Sequence, residues 1–291
     1  MKMLVVASVL FSAAICGSVL VAGSLLARPW QSVVGAPPPE LNAQAVAFRS
    51  LSGTTLHGWL TQGRPGGGFV VLMHGVRASR LAMLRRAMVL HQHGFGVLLF
   101  DFQAHGESIG RHITFGQLEG LDAFSAVAYA MGRVPGERIG VIGVSLGGAA
   151  ALLAPQPLKV DAMVLESVFP DIHSALVDRL RARLGPFAGP MLAPLIAPLF
   201  EWLLPQVLGV RLDELRPIDR IGDVRAPLLV ASGTVDALTT IDEARALFAR
   251  APEPKQFWPV EGAAHVDLER YDAPVYWSHI LPFLVAHLQA N

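Results

Sequence analysis

Four short runs of this sequence, residues 69–73, 96–100, 139–144 and 227–231, carry no polar side chain at all. That pattern restricts the fold more than any other feature of the chain. A strand with one face in water alternates polar and apolar residues, so a strand apolar on both sides must be covered on both sides. Between the runs lie longer stretches with helical spacing, at 79–93, 117–131, 146–153, 244–249 and 275–289. In the first of these Leu81, Leu84, Met88 and His91 fall on one face, and in the last Pro282 predicts a kink. Further strands are expected at 160–165 and 256–260, and 45–50 with 55–60 reads as an antiparallel opening pair across Ser52-Gly53. The prediction is an α/β domain, a mostly parallel sheet with helices on both faces. Sites in such sheets lie beyond the carboxyl ends of the strands.

One strand end there has a chemical signature. Residues 139–144 run directly into Gly143-Val144-Ser145-Leu146-Gly147-Gly148 and an alanine-rich helix. This is G-x-S-x-G in the strand-turn-helix setting that gives it meaning, with Oγ of Ser145 raised from the sheet edge as a nucleophile. A serine hydroxyl needs a base. Of the ten histidines, His265 follows the final strand and precedes the closing helix, which suits that role. His91 and His93 read as a helix terminus, and His105 and His112 as loop residues. An acid must orient the imidazole, and Asp236 lies just beyond the strand at 227–231. Asp242 reads as a first-turn acid, and Asp267 follows the histidine too closely to face it. The chain order Ser145, Asp236, His265 is the nucleophile-acid-histidine order. Backbone amides of Leu146 and Val76 are the expected oxyanion donors. His74, in the same loop as Val76, is read as shaping it by hydrogen bonding.

These motifs resemble the α/β-hydrolase superfamily, in its branch of esterase-like and serine aminopeptidase-like serine hydrolases. The similarity runs from about Ala45 to the C-terminus. It includes His74-Gly75 in the oxyanion loop and Asp101-Phe102-Gln103-Ala104-His105-Gly106-Glu107-Ser108, similar to the family's D-x-R-G-H-G-x-S turn. Gln103 and Ala104 depart from the usual Arg-Gly. A serine at 145 separates the chain from branches with an aspartate nucleophile. The resemblance implies the α/β-hydrolase fold, with residues 45–291 as the hydrolase domain and a helical cap inserted at about 167–225.

Charge is scarce, 16% of residues, and unevenly spread. Residues 3–27 contain none, enough helix to cross a bilayer of roughly 30 Å hydrocarbon thickness. They predict an N-terminal signal-anchor or transmembrane helix at 1–30, followed by a linker at 31–44 that includes Pro37-Pro38-Pro39. A cleaved signal peptide is the alternative, although Leu25-Leu26-Ala27 lacks the small-x-small pattern of a cleavage site. The catalytic domain is then expected on the exported side, or secreted after cleavage. The second poor stretch, 185–210, has Glu201 as its one charge. Its prolines at 186, 190, 194 and 198 predict short kinked segments covering the site. Those segments could line an acyl pocket, touch the bilayer or pack on the core.

A net charge of zero removes nucleic acid from the expected partners, and a single cysteine, Cys16, excludes an internal disulfide or cysteine-rich zinc module. No metal or organic cofactor is implied. The expected function is a membrane-anchored serine hydrolase that cleaves a small-molecule carboxylic ester or thioester through an acyl-enzyme. One alternative is a serine aminopeptidase-like peptidase, for which Glu166 at a strand end is the candidate to bind a substrate amine. The other is a non-catalytic binding protein on a hydrolase fold.

Overall fold

The computed structural model describes Gly17, Val21, residues 23–265 and residues 267–290. Two thirds of the anchor expected at 1–30 therefore lies outside the described residues. Eight strands build one sheet: β1 Gln44–Arg49, β2 Thr55–Thr61, β3 Phe69–Met73, β4 Gly96–Phe100, β5 Ile139–Val144, β6 Ala162–Glu166, β7 Leu228–Gly233 and β8 Lys255–Val260. Their order is β1-β2-β4-β3-β5-β6-β7-β8. β2 pairs antiparallel with β1 and β4, and all other pairs are parallel.

The apolar runs are buried on both faces, as their composition demands. Along β3, Phe69, Val71 and Met73 enter one core and Val70 and Leu72 the other. The first core is closed by α2 (Gln117–Arg133) and α3 (Leu146–Leu152), through Ala123, Ala126, Ala149 and their neighbours. The second is closed by α1 (Leu84–Gln92) and the last helix, Ala273–Leu288, through Leu90, Tyr276, Ile280 and Leu284. That last helix runs on through Pro282. At α1 the expected face is displaced. Leu81 is exposed, the chain starts as a 3-10 turn at Arg80–Met83, and the buried stripe is Met83, Arg86, Ala87 and Leu90. An arginine on the core side defeats a reading based on apolar spacing.

Between β6 and β7 the chain forms α4, Ile172–Leu208, two helical segments that meet at Gly185 with φ 80° and ψ 179°. Asp171 caps the first, its side chain accepting from the Ser174 amide at 2.9 Å. The second corrects the expectation of short kinked pieces, because it stays helical from Pro186 through Leu208. Pro186 follows the break, where a missing N–H costs little. Pro190, Pro194 and Pro198 stand four residues apart, so their missing donors fall along one stripe and leave the bonds on the remaining faces intact. One side of α4 packs Leu176, Ala193, Ala197, Phe200 and Leu203 with Ala27. Phe187, Met191, Leu195 and Trp202 are exposed. The segment before the sheet is fastened to the body: Trp30–Gln31 pairs with His105–Gly106, and Val34 and Gly35 amides donate to Glu107.

Candidate active site

β5 ends in a turn that leaves no room for a side chain at the glycines on either side of Ser145. A Cβ on Gly147 would stand 2.2 Å from the Met73 carbonyl oxygen, and one on Gly143 would meet Gly148 Cα at 2.6 Å. Glycine at both positions lets α3 close directly on β3 and β5. Ser145 itself takes φ 50° and ψ −111°, a sparsely populated backbone for a residue with a side chain. Its amide is tied across the sheet to the Glu166 carbonyl at 2.7 Å. Its Oγ is buried and has no hydrogen-bond partner among the described residues. A strained backbone and an unused buried hydroxyl fit the expected nucleophile, and Ser167, with φ 50° and a buried Oγ without a partner among the described residues, shares both features.

Two and three strands along, Asp236 follows β7 and His265 follows β8. Nδ1 of His265 lies 2.8 Å from Oδ2 of Asp236. A carboxylate oxygen only accepts, so Nδ1 carries the hydrogen and Nε2 is left as a base. The other oxygen, Oδ1, accepts from the amides of Leu238 and Thr239 at 2.8 and 2.9 Å. The acid is thus fixed in a turn of its own making, with its side chain fully buried while that of His265 is 22% exposed. Asp236 and His265 are brought together; Ser145 reaches the same sheet edge without a hydrogen bond to His265. Such bonds are often loose without substrate.

The expected oxyanion donors are available. Neither the Val76 nor the Leu146 amide gives its hydrogen to any group among the described residues. Gly75 places its loop beside the nucleophile, since a Cβ there would stand 3.7 Å from Ser145 Cβ. His74 holds that loop: Nδ1 donates to the Gly75 carbonyl at 2.7 Å and Nε2 accepts from the Phe102 amide at 3.2 Å. Burial, with His105 beside it, lowers its pKa to about 3, so it is neutral. The Asp101 turn is likewise structural. Asp101 is buried against Arg80 and accepts from the Arg80 and Glu107 amides. Gln103, where the resemblance expects arginine, donates to Glu119 at 2.7 Å and to the His112 carbonyl.

The strand order and the strand-turn-helix setting of Ser145 fit the expected fold, and a sequence comparison decides the family. Residues 65–213 match the family described as serine aminopeptidase, S33. The chain belongs to this family of α/β-hydrolases. The hydrolase is 31% identical to an uncharacterized Mycobacterium tuberculosis protein over 244 residues, 82% of this chain and 78% of that one. Over 156 residues, 47% of this chain and 48% of the other, it is 30% identical to a thiohydrolase of Aspergillus aculeatus. Its fold is similar to that of the Pyrococcus furiosus esterase Pf2001, with TM-score 0.72 and 24% identity over 90% of this chain and 98% of that chain.

Glu166 is corrected. The candidate for a substrate amine is completely buried. Arg86 Nη2 pairs with it at 2.7 Å and the Tyr276 hydroxyl donates to it at 2.6 Å. Arg86 also reaches Asp267 at 2.7 Å, two residues beyond His265 in the chain, and Arg85 pairs with Glu269 at 2.8 Å. Glu166 therefore neutralises an arginine that holds the histidine segment from below. Arg86 was missed because nothing in a run of LRRAMVLHQ distinguishes a buried arginine from a solvated one.

A cavity of about 440 Å³ opens beside this edge, between the oxyanion loop and α4. Phe115, Phe169, Ile172, Leu176, Leu180 and Leu238 line it, with Val76. Phe115 has φ 54°, and with Val76 it packs on the small core that contains Leu146. The polar side chains on its wall are three arginines, Arg77, Arg179 and Arg183. Nothing in the sequence of 171–183 distinguishes Arg179, which faces the cavity, from the other arginines of that segment.

Proposed function

We propose that this hydrolase is a membrane-anchored serine hydrolase that cleaves a carboxylic ester or thioester of a small acyl substrate. The observation that carries the reading is the 2.8 Å Asp236–His265 pair at the sheet edge where Ser145 stands in its strained turn. Ser145 Oγ attacks the acyl carbon while His265 Nε2 takes the hydroxyl proton. The amides of Val76 and Leu146 hold the oxyanion. His265 then returns the proton to the departing alkoxide or thiolate, and the acyl group stays on Ser145. Water, deprotonated by the same Nε2, attacks that acyl-enzyme and releases the acid. Asp236 keeps the imidazole in the required tautomer and stabilises its cationic form.

An ester or thioester is favoured over a peptide N-terminus by the cavity. A substrate ammonium would need a free carboxylate, whereas Glu166 is committed to Arg86 and the cavity wall is cationic. The printed names of an esterase and a thiohydrolase among similar proteins support the same class. Membrane attachment is supported by the 25 uncharged residues at 3–27 and the exposed apolar side of α4. The reading includes a catalytic domain on the exported side of that membrane, or secreted if the segment is cleaved.

The test is turnover of p-nitrophenyl acyl esters and acyl thioesters of rising chain length beside aminoacyl amides. Ester or thioester hydrolysis is expected, falling about a million-fold in Ser145→Ala. Hydrolysis of the amides alone would overturn the substrate class. Recovery of the full chain in the soluble fraction would overturn the anchor.

A further inference from the structure

A guanidinium removed from water is stable only when its charge and donors are matched. Arg179 is not matched. It stands half-buried on the cavity wall, and among the described residues the one side-chain hydrogen bond it makes runs from Nη1 to the Ala175 carbonyl of its own helix at 2.9 Å. Among the described residues no carboxylate lies within ion-pair distance of it. The acids that act on it from farther off are Asp236, Asp178 and Glu243, and burial still outweighs them, lowering its pKa from the ordinary arginine value. Asp236 cannot turn to it, because both carboxylate oxygens are already used by the Leu238 and Thr239 amides and by His265.

Arg183 lies one helical turn further on the same wall, exposed at its rim, and has no ion pair among the described residues. Like charges at this spacing repel and weaken a helix, so the pair is not there for the stability of α4. Arg77, the third cation, spends its guanidinium on the carbonyls of Leu25 and Leu26. The cavity thus offers an apolar body with unspent guanidinium donors set into it. Its walls include Val76 on the oxyanion side and Leu238 on the acid side.

Resting on the hydrolase reading above, we propose that Arg179, with Arg183 at the rim, binds an anionic oxygen group of the substrate. The substrate class is an amphiphilic ester or thioester that carries a carboxylate or a phosphate beside its apolar chain. A carboxylate would belong to the acyl part and a phosphate to the leaving part. A guanidinium satisfies either by two parallel N–H···O bonds.

The experiment compares matched substrates on the full chain in detergent. One pair is p-nitrophenyl octanoate against the p-nitrophenyl monoester of octanedioic acid; the other is 1-octanoylglycerol against its 3-phosphate. The wild type should favour the anionic member of one pair by about 10- to 100-fold in kcat/KM, and that pair identifies the source of the charge. Arg179→Met should bring the ratio close to one, and Arg179→Lys should keep part of it. No preference in either pair, or an equal ratio in wild type and Arg179→Met, would overturn the proposal. Should Arg179→Met fail to fold, calorimetry on Ser145→Ala protein with octyl phosphate, octanedioate and octanol decides instead. An anion must bind more tightly than the alcohol, and equal binding would overturn the proposal. Anion binding without any hydrolysis by wild type would sink the hydrolase reading alone, and hydrolysis without anion preference would sink only the role of Arg179.

Discussion

Two arginines of this molecule, one completely buried in the body and one partly exposed on a cavity wall, are treated in opposite ways. Arg86, inside the body, meets Glu166 and Asp267 at 2.7 Å, accepts company from the Tyr276 ring at 4.9 Å and donates to the Tyr276 hydroxyl at 3.0 Å. Arg179, on the cavity wall, has one carbonyl of its own helix. The same side chain is a closed structural unit in one place and an open binding group in the other. Satisfaction of the guanidinium, together with burial, separates scaffold from cavity wall here. The matched arginine also lies next to the chemistry: through Asp267 it steadies the segment that presents His265, which makes it a positioning residue.

The largest effect should come from breaking the matched side. Arg86→Met leaves Glu166 as an uncompensated buried charge and should cost about 3–5 kcal/mol in denaturant unfolding. Replacing both partners, Arg86→Met with Glu166→Leu, should recover part of that loss, because no fully buried charge remains, although Asp267 and the Tyr276 hydroxyl lose their partners. If the double variant is as unstable as the single one, the network is not the closed unit described.

A second prediction extends the contrast to a buried group neutralised by losing its proton. His74 has its pKa lowered from 6.5 to about 3 by burial. The unfolded chain therefore takes up a proton below pH 6.5 that the folded protein refuses, and stability falls as pH falls from there toward 3. By pH 5 this amounts to about 2 kcal/mol. The stability of His74→Asn relative to wild type should accordingly improve by that amount between pH 7.5 and pH 5, in urea unfolding at the two values. A pH-independent difference would show that His74 is not held neutral.

Smaller effects are expected on the open side. Arg179→Met should unfold no earlier than wild type and gain up to about 1 kcal/mol, since it removes a charge that nothing in the protein matches. A clear loss of stability would place Arg179 with Arg86. Smallest of all, the combined Phe187→Ser, Met191→Ser and Leu195→Ser variant should change stability by no more than about 0.5 kcal/mol, because these side chains are 91%, 72% and 75% exposed. Its readout is co-sedimentation with phospholipid vesicles, expected to fall in a form lacking residues 1–28. Unchanged sedimentation would free this face of α4 from any membrane role.

The contrast also explains what could be read without coordinates. β3 and β4 were legible to the residue, because five apolar side chains in a row can be buried only by a sheet covered twice. Ser145, Asp236 and His265 were legible because each follows a strand end in a turn, where side-chain identity signals chemistry more than packing. The two arginines were not. Arg86 looks like a polar residue that should face water, and its partners Glu166, Asp267 and Tyr276 come from three distant segments. Arg179 resembles its helical neighbours Arg181 and Arg183, and only the fold of α4 over the sheet edge gives it a cavity wall. The length of α4 was obscured for a different reason. A proline every fourth residue looks prohibitive one at a time, but the shared stripe confines the damage to one side of the helix.

The central claim is that Ser145 is a nucleophile served by His265 and Asp236. Its most direct test is reaction with a fluorophosphonate, with the adduct located by peptide mass spectrometry. Wild type should carry a single adduct on the peptide containing Ser145, Ser145→Ala none, and His265→Ala only a trace at the same exposure. Equal labelling of wild type and Ser145→Ala, or an adduct on another residue, would contradict it.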